Sequence, residues 1–418
     1  MPPSFPGEVS RRAALSAALG AAAAGVAGCT ASHARPAAAT ASVAASNGST
    51  TPAVVTEPFY GPHQPGVVTP AQACQLLSAL DVTATSAAEL RRLLDDWTAA
   101  AALLTSGKPV PAPADRPALT DTGEAADASA SRLTITIGYG PSLFDKRFGL
   151  AARRPAPLVE LPHFSNDNLQ PAWCGGDLVL QVCADDAQIA FHAHRQLLRL
   201  ASGLVSVRWS QSGFRGPQLG DNAKPLTRNL FGFHDGVRNP ALDDAKALEK
   251  VVWAGGTDWI AGGSYLITRR ILLFTDGWDD VPDDQQQRII GRDKQSGAPL
   301  SGGSLTSSLD LAAKSTDGSP AIPLDSHVRL ASAELNGGAQ ILRRSYAFSD
   351  GSPPGVQAGQ MFCCFQSDPR TGFLPIQRRL SQSDALNTHS QHVGSAIFAI
   401  PPGVQPGQSW SAALFGQA

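Results

Sequence analysis

Neither sign of charge dominates this chain. Lysine and arginine together number 33, against 35 aspartates and glutamates. That balance argues against a nucleic-acid binder relying on bulk positive charge, although it leaves room for a local basic pocket. Cysteine is scarce too. Beside Cys29 there are Cys74, Cys174, Cys183, Cys363 and Cys364, an odd set with the spacing of neither a metal knuckle nor a disulfide framework. Cys363 and Cys364 adjoin in MFCCF, a strand-like run whose neighbours point to opposite faces, and read as small buried hydrophobes. No stretch near the N-terminus makes a comfortable membrane span: residues 13–28 are Ala/Gly-rich and too few, since a span needs ~20 apolar residues. What the chain does have is core-forming material. Its 418 residues are 43% hydrophobic, enough for two domains or one large double domain.

The N-terminus carries an address. Ser10-Arg11-Arg12 precedes AALSAALGAAAAGVAG, a weakly apolar stretch. Residues 1–29 therefore resemble a twin-arginine (Tat) export signal, whose cargo leaves the cytoplasm already folded. Val26-Ala27-Gly28-Cys29 also resembles a lipoprotein box, in which Cys29 is lipidated and tethers the protein to a membrane; cleavage after the alanines near 37–45 is the alternative. Residues 30–56 are Ala, Ser and Thr with little else and read as a disordered tether.

The folded part begins near Glu57. Leucine spacing suggests a helix over 70–80 and another over 86–105. Residues 108–130 read as a loop. Period-two alternation makes strands of 133–140, 177–186, 265–274, 341–348 and 360–368, with helices after the second and the last, the latter over 374–387. VSVRWS and SAIFAI are two further strands. Two segments align without gaps at an offset of 183 residues, placing Asp185 on Asp368, Arg195 on Arg378 and Leu197 on Leu380. In each, a strand ends in an acidic turn before a helix. That repetition supports two similar α+β halves divided near 210–225.

GFHDGVRNP at 232–240 poses the functional question. Glycine, aspartate and asparagine fill ordinary turns, because they tolerate positive φ and bond the local backbone. Taken with His327 in SHVRLAS and Arg343 in ILRRSYAF, however, Asp235 completes an acid–histidine–arginine set suited to activating peroxide at haem iron. Neutral imidazole is a good axial ligand. A carboxylate can move the peroxide proton from one oxygen to the other. A permanently charged guanidinium stabilises the charge of the breaking bond.

At these residues the chain resembles the dye-decolorizing peroxidases, of the exported twin-arginine, deferrochelatase/peroxidase-like kind. The resemblance runs through FYGPHQPGVVTP, LTITIGYGPSLFD, LPHFSNDNLQPAWCGGDLVLQVCADD, GFHDGVRNP, GGSYLITRRI, SHVRLA, ILRRSY and GSAIFAIPPG, in order over almost all of the chain beyond the leader. It implies an α+β fold of two ferredoxin-like halves, each an antiparallel sheet flanked by helices, of the dimeric α/β-barrel-type superfamily. The halves would span 57–215 and 216–418, with one haem b in the second. Matching motifs residue by residue makes His327 the proximal iron ligand, Asp235 the distal acid and Arg343, rather than Arg344, the distal arginine. Gly232 and Gly236 would let the backbone approach the porphyrin. Arg238 and Asn239 would help seat a propionate, with Arg269 or Arg270 as further candidates. The implied partners are hydrogen peroxide and a one-electron donor, through ferryl intermediates, with dye oxidation best at acid pH; no nucleic acid is implied.

One segment departs from the family. An acid commonly falls within a DALNEY-like stretch and accepts the other N–H of the proximal histidine, but here the chain reads DALNTHSQHVGSA, with Thr388 at that place. A neutral acceptor, Asn387 or Thr388, would leave the histidine less anionic and the iron potential higher, unless Asp384 supplies the charge. Of the other histidines, His192 and His194 lie two apart on a helix and read as surface positions, His234 as a neighbour of the acid, and His389 and His392 as structural residues near a helix end; the role of His63 is open. Among seven tryptophans and four tyrosines, Tyr346 is a candidate to carry electrons outward. Two rivals share these motifs: a deferrochelatase-like protein that takes iron from haem, and a peroxidase that serves another exported enzyme, such as a copper oxidase during its maturation. A third, a haem carrier or sensor, needs His327 but has no use for Asp235 and Arg343.

Overall fold

The computed structural model describes residues 55–216, 226–352 and 355–416. The export signal, Cys29 and nearly all of the tether lie outside the described residues. The N-terminal half contributes β1 (Cys74–Val82), α1 (Ala87–Thr105), β2 (Thr134–Tyr139), β3 (Leu178–Ala184), α2 (Ala187–Leu200) and β4 (Val205–Phe214). Next come a two-stranded ribbon, β5 (Thr227–Arg228) and β6 (His234–Asp235), then α3 (Ala245–Val251), β7 (Ser264–Leu273), α4 (Thr275–Asp279), α5 (Asp283–Ile290) and α6 (His327–Leu330). The chain closes with β8 (Leu342–Arg343), β9 (Tyr346–Ser352), β10 (Gly355–Gln366), α7 (Phe373–Ser383), β11 (Ser390–Ile400) and α8 (Trp410–Phe415).

All strand pairs are antiparallel, and they close on themselves. One half runs β2-β3-β1-β4 and the other β11-β7-β10-β9. The two are stitched where Ala399 meets Tyr139 and where Phe214 meets Ala347. The halves therefore share one ring of strands and belong to one compact unit, Ala53–Ala418. The segments matched at the 183-residue offset are β3–α2 and β10–α7, which occupy equivalent places in the two orders.

Strand side chains divide by parity between two cores. Cys363 and Phe365 of β10 join Leu77, Leu266, Phe348 and Phe398 in one core; Cys364 joins Ile137, Ile267 and Ile397 in the other, beneath the helices. Both Cys363 and Cys364 are fully buried, as MFCCF suggested. On the helical side, Ser86 caps α1 by accepting from Glu89 N–H, and Trp97 on α1 donates its indole N–H to Leu197 O on α2 at 2.8 Å.

Three expectations are corrected. Residues 70–80 do not form a helix. CQLLSALDV is the strand β1, hydrogen-bonded to β3 on one side and β4 on the other, so a ladder on both edges overrides its Leu/Ala propensity. The strand expected over 341–348 is interrupted at Arg344–Ser345, where the Ser345 hydroxyl accepts from Cys363 N–H at 3.3 Å. The helix expected over 374–387 ends at Ser383; Asp384 is extended (φ −67, ψ 120) and a short 3-10 turn follows over Ala385–Thr388. Among the described residues no helix is long and apolar enough to cross a membrane.

Close approach of backbone fixes one junction. A Cβ on Gly140, just beyond β2, would lie 1.9 Å from the carbonyl oxygen of Gly176. Overpacking of this kind typically costs ~1–3 kcal/mol. Gly140→Ala is therefore expected to lower the denaturation midpoint of the protein by a corresponding amount; an unchanged midpoint would show that the two segments can part at no cost.

Candidate active site

A cavity of ≈250 Å³ opens among β7, β10 and β11 on one side and α6, α7 and the β5–β6 ribbon on the others. Ile271, Leu309, Ile341 and Phe362 give it apolar walls, while Asp235, Arg343, His327 and Arg292 bring charge and lone pairs to it.

Asp235 reaches the cavity from a tight hairpin. Thr227 pairs with Asp235 and Arg228 with His234, and the Asn229 side chain accepts from Phe231 and Phe233 N–H, each at 3.1 Å. Gly232 and Gly236 hold φ of +83 and +80, the left-handed region that favours glycine. The second turn points Gly236 N–H at Asp235 Oδ1, 2.7 Å away. Arg343 Nη1 lies 3.7 Å from the same oxygen, and Gln360 on β10 donates to Oδ2 at 3.5 Å. Burial pushes the Asp235 carboxyl up, but Arg343, Arg215, the Gly236 N–H and His327 together outweigh it and hold it below the ordinary carboxylate range.

Arg343 and Arg344 diverge as neighbours on a strand should. Arg343 lines the cavity; Arg344 is buried on the other side, where it donates to Thr69 O and Gln72 Oε1. Asn239 clamps Arg343 in place, donating Nδ2–H to its carbonyl at 2.8 Å and accepting from its backbone N–H at 3.1 Å. Asn239 thus lies beside Arg343 rather than on the main cavity wall, as does Gly236, while Arg238 lines that wall and lies 3.8 Å from Glu334.

His327 opens α6. Its Nδ1 is 2.6 Å from Asp384 Oδ2, and Asp384 Oδ1 accepts from Leu386 N–H at 2.9 Å. An ionised carboxylate only accepts, so Nδ1 carries the proton and the Nε2 lone pair remains for a metal. This corrects the expectation of a neutral acceptor. Thr388 donates instead to Ala385 O, and Asn387 bonds Asn166 and Leu380 O. The acid comes from the first residue of DALNT, because α7 stops one residue earlier and turns Asp384 inward.

Two wall residues escaped the sequence reading. His392 lies on β11 rather than on a helical face. Its Nδ1 accepts from Arg269 Nε at 3.1 Å and Nη2 at 2.9 Å, and Arg269 is paired with the buried Asp167. Burial, then Arg269 and His327, hold His392 well below the usual histidine range, so it is neutral with its proton on Nε2. Arg292 is 4% exposed, and its pKa falls to about 10 through burial and then repulsion by Arg238 and Arg343. Nη1 bonds two carbonyls, Gly297 at 2.6 Å and Leu305 at 3.1 Å, but Nη2 is buried without a partner. A buried guanidinium in that condition calls for an anionic ligand group. GRDK gave no signal for this in the sequence, since only the tertiary setting isolates the arginine.

The remaining candidates lie elsewhere. Arg270 bonds Asp350 and Gln211 and packs between Trp173 and Phe348. Tyr346 is fully buried off the cavity, beneath the Arg215 guanidinium. His192 and His194 are buried, contrary to the surface positions expected, and bond Glu124 and Ser78. His63 stacks on Trp253 and donates to Gly262 O at 2.7 Å. Among the described residues no group of three or more His, Cys, Asp or Glu side chains gathers that could hold a metal ion. A single well-oriented imidazole lone pair, that of His327, suits a metal whose other ligands arrive with it.

Comparison with known proteins agrees with this architecture. The family model for the N-terminal part of Dyp-type peroxidase matches residues 64–215, and that for the C-terminal part matches 226–405. The chain is 38% identical over 378 residues to a protein named Deferrochelatase from Escherichia coli, covering 87% of this chain and 86% of that one. It is 39% identical over 361 residues to another of that name from Shigella sonnei, covering 84% of each. A DyP-type peroxidase from Streptomyces coelicolor superposes with a TM-score of 0.81 at 38% identity, covering 87% of this chain and 98% of that chain. Ferric DtpA from Streptomyces lividans does so with a TM-score of 0.79 at 38% identity, covering 86% and 97%.

The lowered pKa of Asp235 has a stability consequence. A carboxyl depressed on folding contributes stability that is fully present above its unfolded value, ~3.9, and is lost as pH falls through the folded value. Denaturation of the cofactor-free protein should show wild type ahead of Asp235→Asn by a constant margin above about pH 5, shrinking below ~4. A margin that holds or widens on acidification would contradict the depressed value.

Proposed function

The chain belongs to the Dyp-type peroxidase family, and from that premise we propose that His327, Asp235 and Arg343 carry its chemistry. The protein is a haem peroxidase: it reduces hydrogen peroxide and oxidises one-electron donors. The observation that carries the assignment of residues is the pairing of His327 Nδ1 with the buried Asp384, in a cavity that Asp235 and Arg343 also line, 3.7 Å apart.

The cavity fits a porphyrin. Much of its wall is apolar, His327 keeps Nε2 free, and Arg292 Nη2 is a buried donor without a partner that a propionate would satisfy. Arg238 is a second, more exposed cation on the same wall, and His392 offers an Nε2–H. Bound haem supplies an iron centre that takes two oxidising equivalents from peroxide and passes them on singly. The protein's part is proton and charge management. Asp235, kept ionised by Arg343 and Arg215, takes the proton from the near oxygen of peroxide and returns it to the departing one. Arg343, its backbone fixed by Asn239, offsets the negative charge that grows on that oxygen. Asp384 fixes the tautomer of His327 and raises its basicity.

We read each half as ferredoxin-like, since β2-β3-β1-β4 and β11-β7-β10-β9 are the same permutation of a β-α-β-β-α-β-type order. Export by the twin-arginine route, with Cys29 as a lipid anchor, is the reading that SRR and VAGC support. A second activity rests on the name of the curated relatives, Deferrochelatase: release of iron from haem with the porphyrin left whole. Protoporphyrin fluorescence after haem loading separates it from peroxidase turnover.

Proton transfer by a positioned side chain is typically worth ~10²–10⁴ in rate. The peroxide-driven change in the Soret band should therefore slow by that order in Asp235→Asn, followed by stopped flow, with a loss of similar order in Arg343→Leu. Either variant reacting at the wild-type rate would remove its residue from the site.

A further inference from the structure

Behind Asp235 and Arg343 lies a second cavity of ≈50 Å³, walled by Val67, Leu242, Asn239, Arg215, Arg343 and Arg344. Arg343 belongs to the walls of both cavities. Arg344 is 3% exposed and commits its Nη atoms to Thr69 O and Gln72 Oε1; its Nε is buried without a hydrogen-bond partner. Arg215 commits its Nη atoms to Ser345 O at 2.8 Å and Thr227 Oγ1 at 3.2 Å, and its Nε is likewise buried and unpartnered. The thiol beside Arg344, Cys183, is held neutral by burial. Among the described residues the one carboxylate within ion-pair reach of these three guanidiniums is Asp235, 3.7 Å from Arg343.

We propose that this cavity is a binding site for a halide-sized monovalent anion, held by the Nε–H groups of Arg215 and Arg344. Two features select that ligand. A water needs roughly 10–15 Å³ of such space, so a cavity of ≈50 Å³ takes a halide with about two or three waters and is too small for a phosphate ester or a larger organic anion. Water alone would satisfy the N–H groups yet leave, among the described residues, three cations against one carboxylate. The site stands apart from the haem assignment, because every group that forms it is in place in the cofactor-free chain. If occupied, it offsets Arg215, one of the cations that hold Asp235 ionised.

Crystals of the cofactor-free protein grown in sodium bromide, measured at the bromine absorption edge, should show an anomalous peak within hydrogen-bond distance of both Nε atoms. In solution, sodium bromide or chloride should raise Tm saturably over sodium gluconate at equal ionic strength. Val67→Leu, which fills the cavity, should abolish that rise. Ordered waters with no anomalous peak would overturn the site. A peak without a saturable rise in the wild type means an adventitious ion only and overturns it too, as does a rise that persists in Val67→Leu. Should Val67→Leu not fold, the two wild-type measurements still decide. A protein that binds bromide here but shows no Soret response to peroxide would sink the haem reading and leave this one standing.

Discussion

A single hydrogen bond, from His327 Nδ1 to Asp384, sets the polarity of the whole site. It consumes one ring nitrogen, orients the ring and leaves the other nitrogen as a lone pair. The fold supplies it by stopping a helix early. Asp384 is extended directly after α7, caps the 3-10 turn through Leu386 N–H and buries its second oxygen against α6. A helix continued over 374–387 would have carried this carboxylate away from His327. Secondary structure here is subordinate to a tertiary contact, and the contact in turn determines which face of a cofactor the protein can ligate.

The opposite face is governed by charge rather than by covalent capacity. Asp235 is held ionised by cations placed on separate segments: Arg343 on β8 and Arg215 just beyond β4. Gly232 and Gly236 permit the hairpin that delivers Asp235, and Asn239, three residues beyond the second of them, turns back to clamp Arg343. GFHDGVRNP is thus one device, with its acid and its clamp on successive turns. Around it the positive charge exceeds the negative. Arg292 and Arg344 are buried without carboxylate partners among the described residues, a costly arrangement unless anionic groups complete it. The carboxylates of a bound porphyrin would meet part of that demand at Arg292, and the small rear cavity holds Arg344.

Much of this was legible in the chain. Strand periodicity located β2, β3, β7, β10 and β11, and the offset repeat paired β3–α2 with β10–α7. Asp235, His327 and Arg343 stood out because their local settings are unusual. The failures share a cause: each depended on a partner distant in sequence. CQLLSALDV has helical propensity, and only its place between β3 and β4 makes it a strand. Asp384 rather than Thr388 meets His327 because of where α7 breaks. His192 and His194 read as surface residues in the chain, yet Glu124 and Ser78 receive them inside. Arg292 had no mark at all, since its isolation is a property of what fails to surround it.

The account stands most directly on the His327–Asp384 bond, and the ferrous haem protein reports on it. Resonance Raman spectroscopy of the iron–imidazole stretch compares wild type with Asp384→Asn, which keeps the shape and removes the charge. A strongly basic imidazole binds iron more tightly, so the stretch should fall to lower frequency in the variant, with a rise in iron reduction potential alongside it. An unshifted band and an unshifted potential would mean that Asp384 does not act on the iron ligand, and the polarity assigned to the site would be wrong.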